Sequence, residues 1–108
     1  MGKTVQFELG GETFEWWSEK SDWTLAERGF DFRTAAYVFF DSAAPVEFNS
    51  IDENGEDRYH IIGSTEELPL AVLFVVYSER GINAKPTIGI ISARDASPKE
   101  RRRYQGVG

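Results

Sequence analysis

The eight residues from Leu70 to Tyr77, LAVLFVVY, are apolar without interruption. A membrane-crossing helix needs about 20 such residues, so this run is far too short to span a bilayer. Its valines and aromatics suit a strand, and a strand that is apolar on both faces has to be covered on both sides. The run therefore predicts a central strand, with the rest of the chain arranged around it as neighbours and layers. The 108 residues, 41% of them apolar, suffice for one domain with one core, and residues 1–108 read as a single unit.

The flanking segments carry local signals. Val5, Phe7 and Leu9 alternate with Thr4, Gln6 and Glu8, Gly10-Gly11 follows, and Thr13 to Trp17 forms a second extended run. This pattern predicts a hairpin with a Gly-Gly turn. Ser18 is the expected N-cap of a helix over Glu19 to Arg28, with Gly29 in the left-handed closing position. Asp31 is the next expected cap, and Phe32, Ala35, Ala36, Phe39 and Phe40 recur with the spacing of one buried helical stripe. Asp41 and Pro45 end that helix. Residues 49–57 are polar and contain the turn dipeptide Asn54-Gly55. Arg58 to Ile62 and Ile88 to Arg94 read as further strands, the connection marked by Gly81 and Pro86 as irregular, and Ser97-Pro98-Lys99-Glu100 as a capping box opening a short helix. Gln105 to Gly108 are expected to fray. The order predicts an α+β domain: an N-terminal hairpin and two helices on an antiparallel sheet, then a short C-terminal helix.

Composition narrows the chemistry. With no cysteine, disulfides, thiolate catalysis and Cys-based zinc sites are excluded; with one histidine, so is any site needing two. No phosphate-cradling glycine motif, nucleophile elbow or calcium loop occurs. The first residues carry charges and no apolar stretch of signal-peptide length, so a cytoplasmic chain without membrane contact is expected. The net charge is −6, and its distribution is uneven. Residues 1–57 hold 13 acidic against 4 basic side chains, a net of −9, and residues 58–108 hold 5 against 8, a net of +3. The split suggests an acidic face and a basic one.

The basic groups fall at strand ends: Arg58, Arg80 and Arg94, followed by Lys99, Arg101 and Arg102 on the last helix. If these strands are neighbours, several guanidinium groups gather at one edge, where their forked donors suit phosphate oxygens. Such a cluster can promote RNA cleavage, because RNA supplies its own nucleophile in the 2′-hydroxyl. Glu79 and Glu100 are the carboxylates considered as proton acceptors. Plainer readings stand beside these. The arginines pair with the acidic half, Arg101 to Arg103 suit a last helical turn, Glu100 is a capping residue, and His60 is structural. Trp16, Trp17 and Trp23 cover the core or a partner-facing patch rather than stack bases.

Five segments in order, FEWWSEK, GFDF with AAYVFFD, EDRYHIIG, VVYSERG and IISARDASPKERRRY, resemble the BrnT ribonuclease toxins of bacterial type II toxin–antitoxin systems. The resemblance spans Phe14 to Tyr104, 91 of 108 residues, and leaves residues 1–13 as an extra N-terminal hairpin strand. It implies a compact RelE-like fold and a metal-independent endoribonuclease, without cofactor, that blocks translation. It also implies neutralisation by a BrnA-type ribbon-helix-helix antitoxin, through which alone the chain would meet DNA. Arg58 in RY-x-x-IG and Arg80 in Y-[ST]-x-R are the expected catalytic residues, with Arg94, Lys99, Arg101 and Arg102 expected to bind RNA. The alternative is a weakened or inactive module that keeps the fold and binds an antitoxin-like partner.

Overall fold

The computed structural model describes residues 2–80 and 86–106. In chain order these form β1 (Thr4–Leu9), β2 (Glu12–Trp17), α1 (Ser18–Arg28), α2 (Phe32–Ala36), a 3-10 turn (Tyr37–Phe40), β3 (Val46–Ile51), β4 (Asp57–Thr65), β5 (Leu68–Arg80), β6 (Thr87–Asp95) and α3 (Pro98–Tyr104). The six strands make one sheet in the order β1-β2-β6-β5-β4-β3. Four of its five junctions are antiparallel, as expected, but β2 and β6 run parallel, so the sheet is mixed. The chain leaves β2, forms the helices, builds three strands and then returns beside β2. A helical crossover of this kind is what parallel neighbours require. No helix among the described residues is long and apolar enough to cross a membrane.

Local signals set several boundaries. Gly10 and Gly11 have φ values of 55° and 83°, the left-handed pair a tight hairpin turn needs. Gly10 is also fixed by crowding, since a Cβ there would lie 2.6 Å from the Phe40 ring. Gly29, at φ 84°, closes α1 by donating to the Leu25 carbonyl. Asp31 caps α2, its carboxylate accepting from the Arg33 and Thr34 amides. The capping box at Ser97 and Glu100 is complete in both directions, with Pro98 opening α3.

Other expectations are corrected. Ser18 is the first residue of α1 rather than its cap; Trp17 occupies that position without a side-chain bond. The Ser18 hydroxyl instead accepts from the Lys3 amide, tying α1 to the hairpin. The stripe predicted from Phe32 to Phe40 breaks at Tyr37, where the helix tightens to 3-10 geometry. Val38 becomes fully buried, and Phe40 is 46% exposed. The polar stretch after Phe48 holds the end of β3, an edge strand, before the turn at Gly55. The connection between β5 and β6 is outside the described residues from 81 to 85, as are residues 107 and 108 of the expected frayed end.

The core lies between the helices and one face of the sheet. Phe14, Trp16, Phe32, Ala35, Val38, Ile61, Leu73, Val75, Tyr77, Ile90 and Ala93 belong to it. Phe14 is fully buried and meets Phe39 edge-on at 5.4 Å. β5 is central as predicted, but its two faces differ: Leu73, Val75 and Tyr77 are buried, whereas Phe74 and Val76 are half-buried. Short α3 covers this second face only in part. It is anchored by Arg94, whose guanidinium makes a two-pronged bond to Glu100 at 2.8 and 2.9 Å. A second anchor is Tyr104, which donates to Asp41 at 2.7 Å. Asp41 also accepts from the Ser64 amide and hydroxyl, so one carboxylate joins the 3-10 turn, β4 and α3. Burial alone would raise the Asp41 pKa, but these donors together hold it below its usual value.

Two predictions follow from this packing. Phe14→Ala should cost about 3–5 kcal/mol in urea unfolding, because the ring is fully enclosed. The Arg94 hydrogen bonds, reinforced by the Ser97 amide and opposed by burial, bring the Glu100 pKa down from 4.5 to about 2. A lowered folded-state pKa gives stability that is present above pH 4.5 and lost as pH falls towards 2. The melting-temperature gap between wild type and Glu100→Gln should therefore be positive at neutral pH and shrink across that acid window. A gap independent of pH would show that the ionised carboxylate contributes nothing.

Candidate active site

Strand register gathers a row of functional groups on the second face. The Tyr59–Tyr77 pair places Arg58 alongside Ser78, Ser78 pairs with Gly89, and Gly89 pairs in parallel with Glu15. Arg80, two residues beyond Ser78, lies on the same face by strand alternation. Arg58, Arg80, Gly89 and Glu15 of this row border a cleft of about 730 Å³ where the start of α1 meets the sheet, and Ser78 is buried beneath it. Glu15, Trp16 and Trp17 of β2 line it, with Glu19, Lys20 and Trp23 of α1 and Arg58, Arg80 and Gly89 of the other strands. The volume is in the range of small-molecule sites. Gly89 keeps the floor low: a Cβ there would lie 3.0 Å from the Ser78 hydroxyl and 3.6 Å from Arg80 Nε.

The two arginines are held by carboxylates. Arg80 Nη1 donates to Glu15 at 3.3 Å, and Arg80 Nε lies 3.8 Å from Glu56. Arg58 Nη2 lies 3.8 Å from Asp52. Asp52 and Glu56 come from the turn between β3 and β4. There the Asp52 side chain accepts from the Asn54 and Glu56 amides, both at 2.8 Å. The Glu56 amide bond, with burial opposing and Asn54, Arg58 and Arg80 assisting, lowers the Asp52 pKa and keeps it anionic. The acidic turn is thus a clasp over the arginines. Two buried polar atoms have no hydrogen-bond partner among the described residues: Arg58 Nε and the Ser78 hydroxyl, neighbours in the row. Most buried polar atoms in proteins are satisfied, so both are groups with unused bonding capacity.

The remaining expected residues lie elsewhere. Arg94 pairs across the sheet with Phe74, six residues from Arg80 along β5 and so about 20 Å away. Its charge is committed to Glu100, and its guanidinium lies 4.3 Å from the Phe74 ring centre. Lys99 and Arg102 are exposed on α3, and Arg101 borders a shallow groove with Leu68, Leu70 and Asp95. The structure thus brings Arg58 and Arg80 together and leaves Arg94, Lys99, Arg101 and Arg102 outside the cleft. Glu79 alternates onto the face opposite Arg80, and Glu100 is bound to Arg94, so neither carboxylate faces the cleft. His60 sits between Asn49, at 3.1 Å from Nδ1, and Glu47, at 2.9 Å from Nε2, with Phe74 against its ring. An Asn49 donor to Nδ1 assigns the proton to Nε2. Burial lowers the His60 pKa, with Glu100 opposing and Arg94 assisting, which fits a neutral structural histidine.

Sequence reasoning passed over Glu15, Lys20, Trp17 and Trp23 as cleft residues. One signal was available: Trp16 and Trp17 are adjacent on a strand, so only one can enter the core. Trp16 does, at 5% exposure, and Trp17 faces outward at 62%.

Residues 16–100 match a family described as "Ribonuclease toxin, BrnT, of type II toxin-antitoxin system". The match begins within β2, so β1 and the first part of β2 precede it, slightly more than the residues 1–13 expected from the motifs. A search of curated proteins returns no match. With a match over most of its length, including the strands that carry Arg58 and Arg80, the chain belongs to the BrnT family of ribonuclease toxins of type II toxin–antitoxin systems.

Proposed function

We propose that the cleft cleaves RNA, with Arg58 and Arg80 holding the scissile phosphate. The observation that carries this reading is the convergence of these two guanidinium groups, from different strands, in the same cleft. In the reaction the 2′-oxygen attacks phosphorus and the bond from phosphorus to the 5′-oxygen breaks. The 2′-hydroxyl proton is lost, and the leaving oxygen gains one. The products are a 2′,3′-cyclic phosphate and a 5′-hydroxyl, with no metal needed as reactant. The arginine forks stabilise the charge that grows on the phosphoryl oxygens. Carboxylates at the cleft are Glu15 and Glu19, and the proton acceptor belongs there rather than at Glu79 or Glu100. Lys99, Arg101 and Arg102 act at longer range, drawing the RNA backbone towards the protein from α3. The biological reading is a cytoplasmic toxin that blocks translation and is neutralised by a BrnA-type ribbon-helix-helix antitoxin.

A second reading is favoured by the clasp itself. With Arg80 held by Glu15 and Glu56 and Arg58 facing Asp52, an inactive module that only binds its antitoxin would look the same at rest. These pairs are weak, however. Arg80 is 54% exposed, and exposed ion pairs contribute only about 0–1 kcal/mol, so a phosphate can displace them.

Incubation with total RNA in the presence of EDTA separates the two. Wild type should yield fragments ending in 2′,3′-cyclic phosphate. Arg80→Ala should lower the rate about 10²–10³-fold, the usual effect of losing one charge-stabilising donor. Its thermal midpoint should scarcely move, because the pairs it removes are exposed. Absence of cleavage by wild type, with growth unaffected on expression, would favour the inactive module. An undiminished rate in Arg80→Ala would remove that residue from the site.

A further inference from the structure

We infer that Trp17 is a stacking shelf for a nucleobase next to the phosphate held by Arg58 and Arg80, and so sets which RNA contacts the cleft rewards. The inference rests on the ribonuclease reading and adds a binding element to the same site. Trp17 follows Glu15 by two residues on β2, so their side chains share a face about 6.6 Å apart along the strand. Glu15 bonds Arg80 directly, which places Trp17 one strand step from the phosphate-binding donors. A ribose bridges that step between a phosphate and its base.

The aromatic faces around the cleft are not equivalent. Trp16 is buried and meets Phe7 and Phe32. Trp23 carries Lys20 at 5.0 Å and Arg28 at 4.7 Å from its ring centre, so its π-system is already engaged by cations. Trp17 lines the cleft at 62% exposure and makes no such aromatic or cation contact among the described residues. An indole left open to water beside two guanidinium groups matches the two parts of a nucleotide. The flat ring accepts any base by stacking, and the forked cations accept the phosphate. Lys20, also lining the cleft, suits a neighbouring phosphate.

The test uses two uncleavable probes of equal length: a 2′-O-methyl oligoribonucleotide and the same 2′-O-methyl backbone without bases. Wild type should bind the base-bearing probe about tenfold more tightly, in keeping with one stacked base. Trp17→Ala should abolish that preference while leaving affinity for the baseless backbone within about twofold. Trp17→Phe should restore most of it, and Arg80→Ala should weaken both probes. A preference that persists in Trp17→Ala, or equal losses for both probes, would overturn the shelf. A wild type that binds both probes equally would also overturn it while leaving the phosphate site intact. Failure to bind either probe would overturn the ribonuclease reading together with the shelf.

Discussion

Thr13, Phe14 and Glu15 pair in parallel with Thr87, Ile88 and Gly89, and both faces of the sheet depend on that short junction. On one face it places Phe14 and Trp16 in the core beneath the helices. On the other it places Glu15 beside Gly89, within reach of Arg80, and carries Trp17 to the rim of the cleft. A one-residue slip would reverse these roles: Phe14 would face water, and Glu15 would enter the core. The burial of Phe14 and Trp16 therefore fixes the register of the polar site on the opposite face. The family match begins within this strand, so the N-terminal hairpin is joined to the family fold at the point on which the cleft relies.

Gly89 makes the junction useful as a site. It has no side chain, and the space a Cβ would take is bounded by the Ser78 hydroxyl and Arg80 Nε. A larger residue would crowd Ser78 and narrow the approach to the row. Two buried polar atoms without a partner among the described residues, Arg58 Nε and the Ser78 hydroxyl, lie along this same row. Leaving such groups unsatisfied costs folding free energy, on the order of 1–3 kcal/mol each. Bonding capacity kept unspent beside a cleft is a recurring feature of functional sites.

The parts of the fold that were legible in the sequence depend on contacts within a few residues. The Gly10-Gly11 turn, the Asp31 cap, the Gly29 closure and the Ser97–Glu100 capping box each act within one turn of chain. Leu70 to Tyr77 was legible as part of a central strand from its apolar run, although only Leu73, Val75 and Tyr77 are buried and Leu70 is 95% exposed. What was not legible depends on distant partners. The parallel pairing of β2 with β6 joins residues more than 70 positions apart. β3 is an edge strand whose alternation is broken by a bulge between Phe48 and Ser50. The helical stripe failed at Tyr37, where the backbone tightens to 3-10 geometry and Val38 rather than Phe40 is enclosed, next to Gly63 of β4. For the candidate cleft, the placement of Arg58 and Arg80 at strand ends was legible, and their neighbouring strands bring both to its lining. Arg94 was not separable from them, because its bond to Glu100 depends on where α3 turns back over the sheet. Trp17 acquires its setting only once β2 lies beside β6.

The charge distribution also changes meaning in three dimensions. Along the chain the first 57 residues are strongly acidic and the rest basic, which suggested two separate faces. In space the halves interlock. Glu15, Asp52 and Glu56 of the acidic half hold Arg80 and Arg58 of the basic half, and Glu47 pairs with Arg103. The cleft is lined by Lys20, Arg58 and Arg80 against Glu15 and Glu19, so its own balance is barely positive within a chain of net charge −6. Long-range attraction of the cleft for a polyanion is correspondingly small, because both arginines face neighbouring carboxylates. On the proposed ribonuclease reading, such a site would gain little from many phosphate contacts within the cleft. It would depend on one phosphate displacing a weak clasp and on a neighbouring aromatic ring that is indifferent to salt, with the cations of α3 acting outside it. Local geometry at β2 and β6 would then matter more to that reading than overall charge does.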